Sequence, residues 1–421
     1  MTQCVLTGQR SLSDYTSLLG EEYIEQLRAS ARPLAGARVL HLNATAVGGG
    51  VAELLKALVP LLSDLGLNAE WRILRGADEF YKVTKAMHNG LQGMPLPFTP
   101  EMKAAWLKYN TLNAELLSSN GSYDFVVVHD PQPAGVLHLL RQGNGHQNTG
   151  IWIWRCHIDL TTPQPHFWEF LKPYVELYDA AIFTRKQYFP RNFRGPRCFT
   201  AAPGIDPLSS QNRLLGDEEV HRVLVRCGVD PARPFIFMLS RFDPWKDFCG
   251  VIDVFDVLKR EFPDLQLVLM GGGADDDPET QSCYQNIITY AGDRSDTLIL
   301  WGQNGVSSPE INAFQQAASV VVQKSIREGF GLVVSEALWK GCPVVGSDVG
   351  GISLQVLHNR TGFLAKSLNE WVESITGLLR DRQTAYRLGS AGRRRVQKRF
   401  LVTRYLHDYL RIFQTLADRV Q

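Results

Sequence analysis

No apolar run in this chain approaches the ~18 uninterrupted residues that a membrane-spanning helix needs, so nothing in it reads as a bilayer span. Charge of one sign is missing too. The 44 Lys plus Arg nearly cancel the 43 Asp plus Glu, which leaves no field to draw in nucleic acid or an anionic membrane, and any anion site must be local. No two cysteines form a C-x-x-C pair. The seven present (Cys4, Cys156, Cys198, Cys227, Cys249, Cys283, Cys342) are scattered and odd in number, which fits reduced, mostly buried thiols and argues against a disulfide framework or a thiolate metal site. The opening residues, MTQCVLTGQRSLSDY, lack the basic, then apolar, then small-residue order of a secretory signal. A soluble, cytoplasmic protein without nucleic-acid or membrane partners is expected. The G-x-G-x-x-G spacing of dinucleotide sites is also absent, which weakens a nicotinamide-dependent oxidoreductase.

What is present is enough apolar material for more than one core: 421 residues, 44% of them hydrophobic. Short apolar runs, glycine or proline punctuation and longer stretches of helical period alternate throughout, the pattern of parallel sheets flanked by helices. In the first half, strands are predicted at Ala37 to Asn43, Ala69 to Leu74, Phe125 to His129, Ile151 to His157 and Ala180 to Thr184, with a helix over Pro100 to Ser118. The segment Ala201 to Arg213 (AAPGIDPLSSQNR) is rich in Pro, Gly, Ser and Asn and reads as a connection between domains. A second series follows, with strands at Phe235 to Ser240, Gln266 to Gly271, Leu298 to Trp301, Val320 to Gln323 and Pro343 to Ser347, and helices over Asp247 to Arg260 and Phe330 to Lys340. The expectation is an α/β protein of two doubly wound, Rossmann-like domains, 1–205 and 206–401, facing a central cleft. A closing helix in the stretch 402–421 packs back onto the first. Ligands of open α/β sheets bind outside the carboxyl ends of the strands.

Chemistry-bearing residues gather at those ends. Ser240-Arg241-Phe242-Asp243-Pro244-Trp245-Lys246-Asp247 sits between a strand and a helix. Its two cations can reach one ligand and neutralise a diphosphate, although taken alone such loop cations are more often solvated. Glu328-Gly329-Phe330-Gly331-Leu332-Val333-Val334-Ser335-Glu336 likewise runs from a strand into a helix. There glycines let backbone N–H groups approach an anion, and Glu336 can accept hydroxyl hydrogen bonds. In the first half, Gly48-Gly49-Gly50 opens a helix and can cradle a phosphate or meet sugar hydroxyls. His129-Asp130 and His157-Ile158-Asp159 follow strands, and His88-Asn89 lies in a further polar cluster. Each of these has a plain structural alternative as a cap, a core residue or a flexible loop.

Arg241 and Lys246 as R-x4-K, followed by Glu328 and Glu336 as E-x7-E, resemble the carboxyl-terminal domain of family-four retaining glycosyltransferases, whose fold is GT-B. The resemblance implies that Arg241 and Lys246 hold the donor diphosphate, that Glu328 lies by the transferred sugar and that Glu336 binds the nucleotide ribose. The backbone of Gly329, Phe330, Gly331 and Leu332 would then touch sugar and phosphates. With Gly-Gly-Gly-Val-Ala-Glu, His-Asn-Gly-Leu-Gln-Gly, His-Asp-Pro-Gln-Pro-Ala-Gly, Trp-Arg-Cys-His-Ile-Asp and Ser-Arg-Phe-Asp-Pro-Trp-Lys-Asp, the chain is similar over nearly its whole length to the trehalose glycosyltransferring synthases. This implies glucose transfer from a nucleotide-sugar to glucose, reversibly, with ADP- or UDP-glucose as donor. It also implies a catalytic set of Arg241, Lys246, Glu328 and His157, the last on the donor glucose. Gly49 and Gly50 would add donor contacts, Asp130, His88 and Asn89 would grip the acceptor, and a homodimer is compatible. The same motifs leave open a retaining trehalose phosphorylase, a transferase with another sugar acceptor, or a non-catalytic binder of nucleotide-sugars. Retention is compatible with a covalent intermediate or with a front-face route. Asp275-Asp276-Asp277 precedes Pro278 and reads as a solvated turn; no metal and no cofactor are expected.

Overall fold

The computed structural model describes residues 2–47, 49–118, 121–143, 150–272, 279–301 and 308–418. It divides into two compact units, one holding Met1–Pro203 and Val402–Gln421, the other Gly204–Gly273 and Glu279–Leu401.

The first unit is built on a seven-stranded sheet of β1 (Gln3–Cys4), β2 (Arg38–Asn43), β3 (Asn68–Ile73), β4 (Phe125–His129), β5 (Ile151–Cys156), β6 (Ala180–Phe183) and β7 (Arg197–Thr200). Their spatial order is β1-β3-β2-β4-β5-β6-β7. All neighbours are parallel except β1, which runs antiparallel to β3. Because helices cover both faces, the inner strands are apolar on both. Phe125 and Val127 of β4 enter one core while Val126 and Val128 enter the other, and Ile153 and Trp154 of β5 divide in the same way. The order reverses between β2 and β4, the switch point at which such sheets bind ligands.

The second unit carries β8 (Phe235–Arg241), β9 (Gln266–Gly272), β10 (Thr297–Trp301), β11 (Val320–Gln323), β12 (Val344–Ser347) and β13 (Phe363–Ala365), all parallel, in the order β10-β9-β8-β11-β12-β13. Its switch point lies between β8 and β11. The α/β class and the parallel, doubly wound sheets agree with the sequence analysis.

Local differences have physical reasons. β1, β7 and β13 were not foreseen; each is a short edge strand, and the exposed or half-buried residues of β1 and β7 show no apolar run. The predicted helix at Phe330 starts instead at Leu332, because Gly331 adopts φ +78° as its N-cap. The helical pattern after Arg399 is interrupted: Phe400 leaves helical geometry, its carbonyl accepts the Ile205 amide at 2.8 Å, and a new helix runs Val402–Ala417. All seven cysteines are free, but only Cys156 and Cys342 are buried, which corrects the expectation of mostly buried thiols. Among the described residues no helix is long and apolar enough to cross a membrane.

The helix Val402–Ala417 lays Val402, Tyr405, Leu406, Tyr409, Leu410, Phe413 and Leu416 into the first unit's core, with Phe413 stacked on Phe125 at 4.4 Å between centroids. A polar anchor supplements this apolar stripe. Arg155, fully buried, donates from Nε to the Tyr405 hydroxyl at 3.2 Å, from Nη1 to the carbonyls of Cys156 (3.0 Å) and Ile182 (3.1 Å), and from Nη2 to that of Ala201 (2.9 Å). Tyr405→Phe removes an acceptor from a buried cation and is expected to cost about 1–3 kcal/mol in urea unfolding. A loss under about 0.3 kcal/mol would show that this bond does not hold the helix.

Candidate active site

At the second unit's switch point, β8 ends at Arg241 and β11 leads through Ser325 to Glu328. Asp243 turns the loop after β8: its carboxylate accepts the Trp245 amide at 2.9 Å and lies 3.6 Å from Nη2 of Arg241. The Ile326 amide donates to the Trp245 carbonyl at 2.8 Å, joining the two loops. Lys246 is thereby delivered to Glu328, Nζ to Oε2 at 2.6 Å, with their side chains 12% and 11% exposed. Ser325 donates to the same carboxylate oxygen at 3.1 Å. Asp247 follows in the left-handed region (φ +50°), caps the helix Phe248–Lys259 through the Gly250 amide at 3.1 Å, and pairs with Lys324. Short distances between desolvated ions make this an electrostatically strong place, able to exchange an internal carboxylate for a ligand anion.

The glycine turn beside it is held from below. Gln355 Nε2 donates to the carbonyls of Phe330 (2.5 Å), Gly331 (3.2 Å) and Gly351 (3.2 Å), while its Oε1 accepts from Ser335 at 2.5 Å. Gly351 packs so tightly that a Cβ there would lie 2.2 Å from the Phe330 Cα. Leu332 opens the helix Leu332–Trp339, so the amides around Gly329–Leu332 stand at a helix amino end. Inside that helix, buried Glu336 accepts from Gln211 (2.9 Å) and Gln315 (3.1 Å). Gln315 in turn accepts from Lys340 at 2.8 Å, and Lys340 also donates to Asn212 Oδ1 at 3.1 Å. Burial lowers the Lys340 ammonium pKa to about 8.

In the first unit the residues fall at its own switch point. Asp130, directly after β4, takes φ +64°, a conformation Asp tolerates better than most side chains. Its Oδ1 accepts the His157 amide at 2.7 Å and its carbonyl accepts Trp154 Nε1 at 3.0 Å. His129 Nδ1 lies 3.1 Å from His157 Nε2, and His41 Nδ1 lies 3.0 Å from His129 Nε2. Burial lowers the pKa of His41 to about 3 and those of His129 and His157 well below their usual value; for the latter two a neighbouring imidazole and the Arg155 guanidinium add to the effect.

Residues 41–190 match the family described as trehalose synthase, N-terminal domain, and residues 227–395 match glycosyl transferases group 1. A trehalose synthase of Rubrobacter xylanophilus is 45% identical over 99% of both chains, and one of Pyrococcus horikoshii is 42% identical over 98% of both. The chain belongs to the trehalose synthase family. It is a glycosyltransferase. Among solved structures, a trehalose-6-phosphate synthase, OtsA, superposes over 90% of this chain and 99% of its own with a TM-score of 0.72 at 14% identity, a likeness of fold, which is GT-B.

In this glycosyltransferase, Lys246 meets Glu328, Arg241 stands on the same loop, and Glu336 lies just over one turn into the helix that the glycine turn opens. Asp130 and His157 are joined by a hydrogen bond. His88 and Asn89 end the helix Asp78–Leu91, with Asn89 buried, and Gly49 caps the helix Gly50–Asp64. Gly48 and Asp275-Asp276-Asp277 lie outside the described residues. His41, Gln315, Gln355 and Lys340 were not foreseen. A histidine in the middle of the apolar run ARVLHLN was a visible signal for His41. The glutamines carried none, since their partners come from other elements.

Proposed function

We propose that this enzyme transfers glucose from a nucleoside-diphosphate glucose to free glucose with retention, forming α,α-trehalose reversibly. The observation that carries this reading is the desolvated Lys246–Glu328 pair at 2.6 Å, beside Arg241 and a helix amino end. In the reaction the bond between the anomeric carbon and the diphosphate oxygen breaks, a bond to the acceptor hydroxyl oxygen forms, and that hydroxyl's proton passes to the departing diphosphate. Lys246 and Arg241 neutralise the charge growing on the diphosphate, and the amides of Gly329, Phe330, Gly331 and Leu332 share it. Glu328, released by Lys246 as the diphosphate arrives, receives sugar hydroxyls. Glu336 holds the ribose. His157, Gly49 and Gly50 contact the donor sugar and phosphates, and Asp130, His88 and Asn89 take the acceptor glucose. The second unit is thus the donor domain and the first the acceptor domain. With lysine and arginine supplying the charge, the reaction needs no metal or cofactor, and activity is expected to survive excess chelator. The protein works in the cytoplasm on small sugars, without nucleic acid or membrane, and a homodimer is compatible with this role.

Gln315 orients the Glu336 carboxylate and accepts from Lys340. Gln315→Leu is expected to weaken nucleotide binding about fivefold in calorimetry, the worth of one hydrogen bond. An unchanged Kd would remove Glu336 from the ribose site. The test of the function itself is proton NMR of purified protein with ADP- or UDP-glucose and glucose. The symmetric α,α-disaccharide with matching nucleotide release is the expected result. Glucose 1-phosphate from trehalose and phosphate, without nucleotide dependence, would replace the synthase by a phosphorylase.

A further inference from the structure

Three imidazoles run diagonally across the first unit's sheet. β2 pairs His41 with Val127 of β4, and β4 pairs His129 with Arg155 of β5. Each histidine therefore lies two residues further along than its neighbour's level, and all three fall on the same face. Both inter-ring contacts use Nδ1 of the earlier ring and Nε2 of the later, at 3.0 and 3.1 Å. The row thus has a direction. At its inner end, His41 Nε2 is buried without a hydrogen-bond partner among the described residues, the ring standing 5.8 Å from that of Tyr409. At its outer end His157 is partly exposed, and its Nδ1 makes no hydrogen bond among the described residues.

The rings are neutral, since burial and the nearby Arg155 guanidinium oppose protonation. Three neutral imidazoles carry three protons. Two are consumed by the inter-ring bonds, one each, and the third must sit at an end. Placed on His41 Nε2 it would strand a donor in the core, where orphaned N–H groups are the rarer defect. Placed on His157 Nδ1 it faces the side open to a ligand. We infer that His129 and His41 are positioning residues that lock His157 as the Nδ1–H tautomer, so that it presents a hydrogen-bond donor to an oxygen of the transferred sugar. This rests on the reading of His157 as a donor-sugar contact. The row gives His157 what a lone loop histidine lacks, one tautomer and one ring orientation.

The experiment is two-bond ¹H–¹⁵N correlation on the full chain with ¹⁵N-labelled histidine, with kinetics on the same samples. Wild type is expected to show His157 protonated at Nδ1. His129→Leu is expected to lose that pattern and to lower kcat/KM for the nucleotide-sugar about tenfold, roughly one lost hydrogen bond, with the Kd of the nucleoside diphosphate unchanged. His129→Asn places an amide donor near the former Nδ1 and is expected to restore both. Should His129→Leu fail to fold, His41→Phe, two rings from the ligand, is expected to broaden the His157 signal into a mixture. A wild-type His157 protonated at Nε2 overturns the inference, as does a His129→Leu enzyme whose tautomer and kcat/KM stay within twofold of wild type. Failure of the wild type to make trehalose from either donor would instead sink the functional reading, because the tautomer is read without turnover.

Discussion

Lys246→Ala is expected to lower turnover by roughly 10² to 10³, the effect of removing one preorganised donor from a developing oxyanion. The argument rests on desolvation. In bulk water a cation 2.6 Å from an anion contributes little, but here Lys246 and Glu328 are almost wholly withdrawn from solvent, and the same ammonium turned to a diphosphate acts in a medium where charge is poorly screened. The loss should fall on kcat more than on KM, since the leaving group gains its charge in the transition state. Glu328→Gln separates the alternatives: if Lys246 served only to neutralise Glu328, adding Lys246→Ala to Glu328→Gln would cost no further activity, whereas a lysine that acts on the diphosphate still costs its full factor. A Lys246→Ala enzyme within threefold of wild type would take the residue out of the mechanism.

Acid should destabilise this protein before its carboxylates titrate. His41 and His129 are completely buried, with His41 held to about 3 and His129 well below its ordinary value. In the unfolded chain both take up protons near pH 6.5. Below that pH the unfolded state binds more protons than the folded one, so stability that is complete above about 6.5 is lost as pH falls toward the folded pKa values. Each such proton corresponds to about 1.4 kcal/mol per pH unit, so these two contribute about 2.7 kcal/mol per pH unit to the limiting slope. Urea unfolding at pH 7.5, 6.5 and 5.5 reads this directly, and His41→Asn should reduce the slope by about one proton. A profile flat to within half a proton would mean that the row accepts protons in the folded state.

Much of the cation-and-carboxylate cluster at the second unit's switch point was readable because its residues are local. Arg241 and Lys246 share one loop, and Glu328 and Glu336 share one turn and helix, so spacing alone brings each pair to the same end of a strand. The strands themselves were legible wherever both faces are buried, as in Phe125–His129 and Val320–Gln323. Three of the four edge strands were not: β13 is short, and β1 and β7 bury little and carry no periodic signal. The supports of the site were equally silent. Gln355 reaches two carbonyls of a turn more than twenty residues earlier, and Gln315 reaches Glu336 from another helix.

The amino-acid sequence by itself determined the parallel α/β architecture, the two cation-and-carboxylate motifs and the family, because apolar periodicity and short motif spacing are properties of contiguous residues. Tertiary structure decided what those residues do to one another. Parallel register set His41, His129 and His157 in a hydrogen-bonded diagonal, burial removed their charge, and the loop contact between Ile326 and Trp245 brought Lys246 onto Glu328. Hydrogen bonding and desolvation depend on neighbours in space, and it is the strand order, reversing between β2 and β4 and between β8 and β11, that chooses those neighbours.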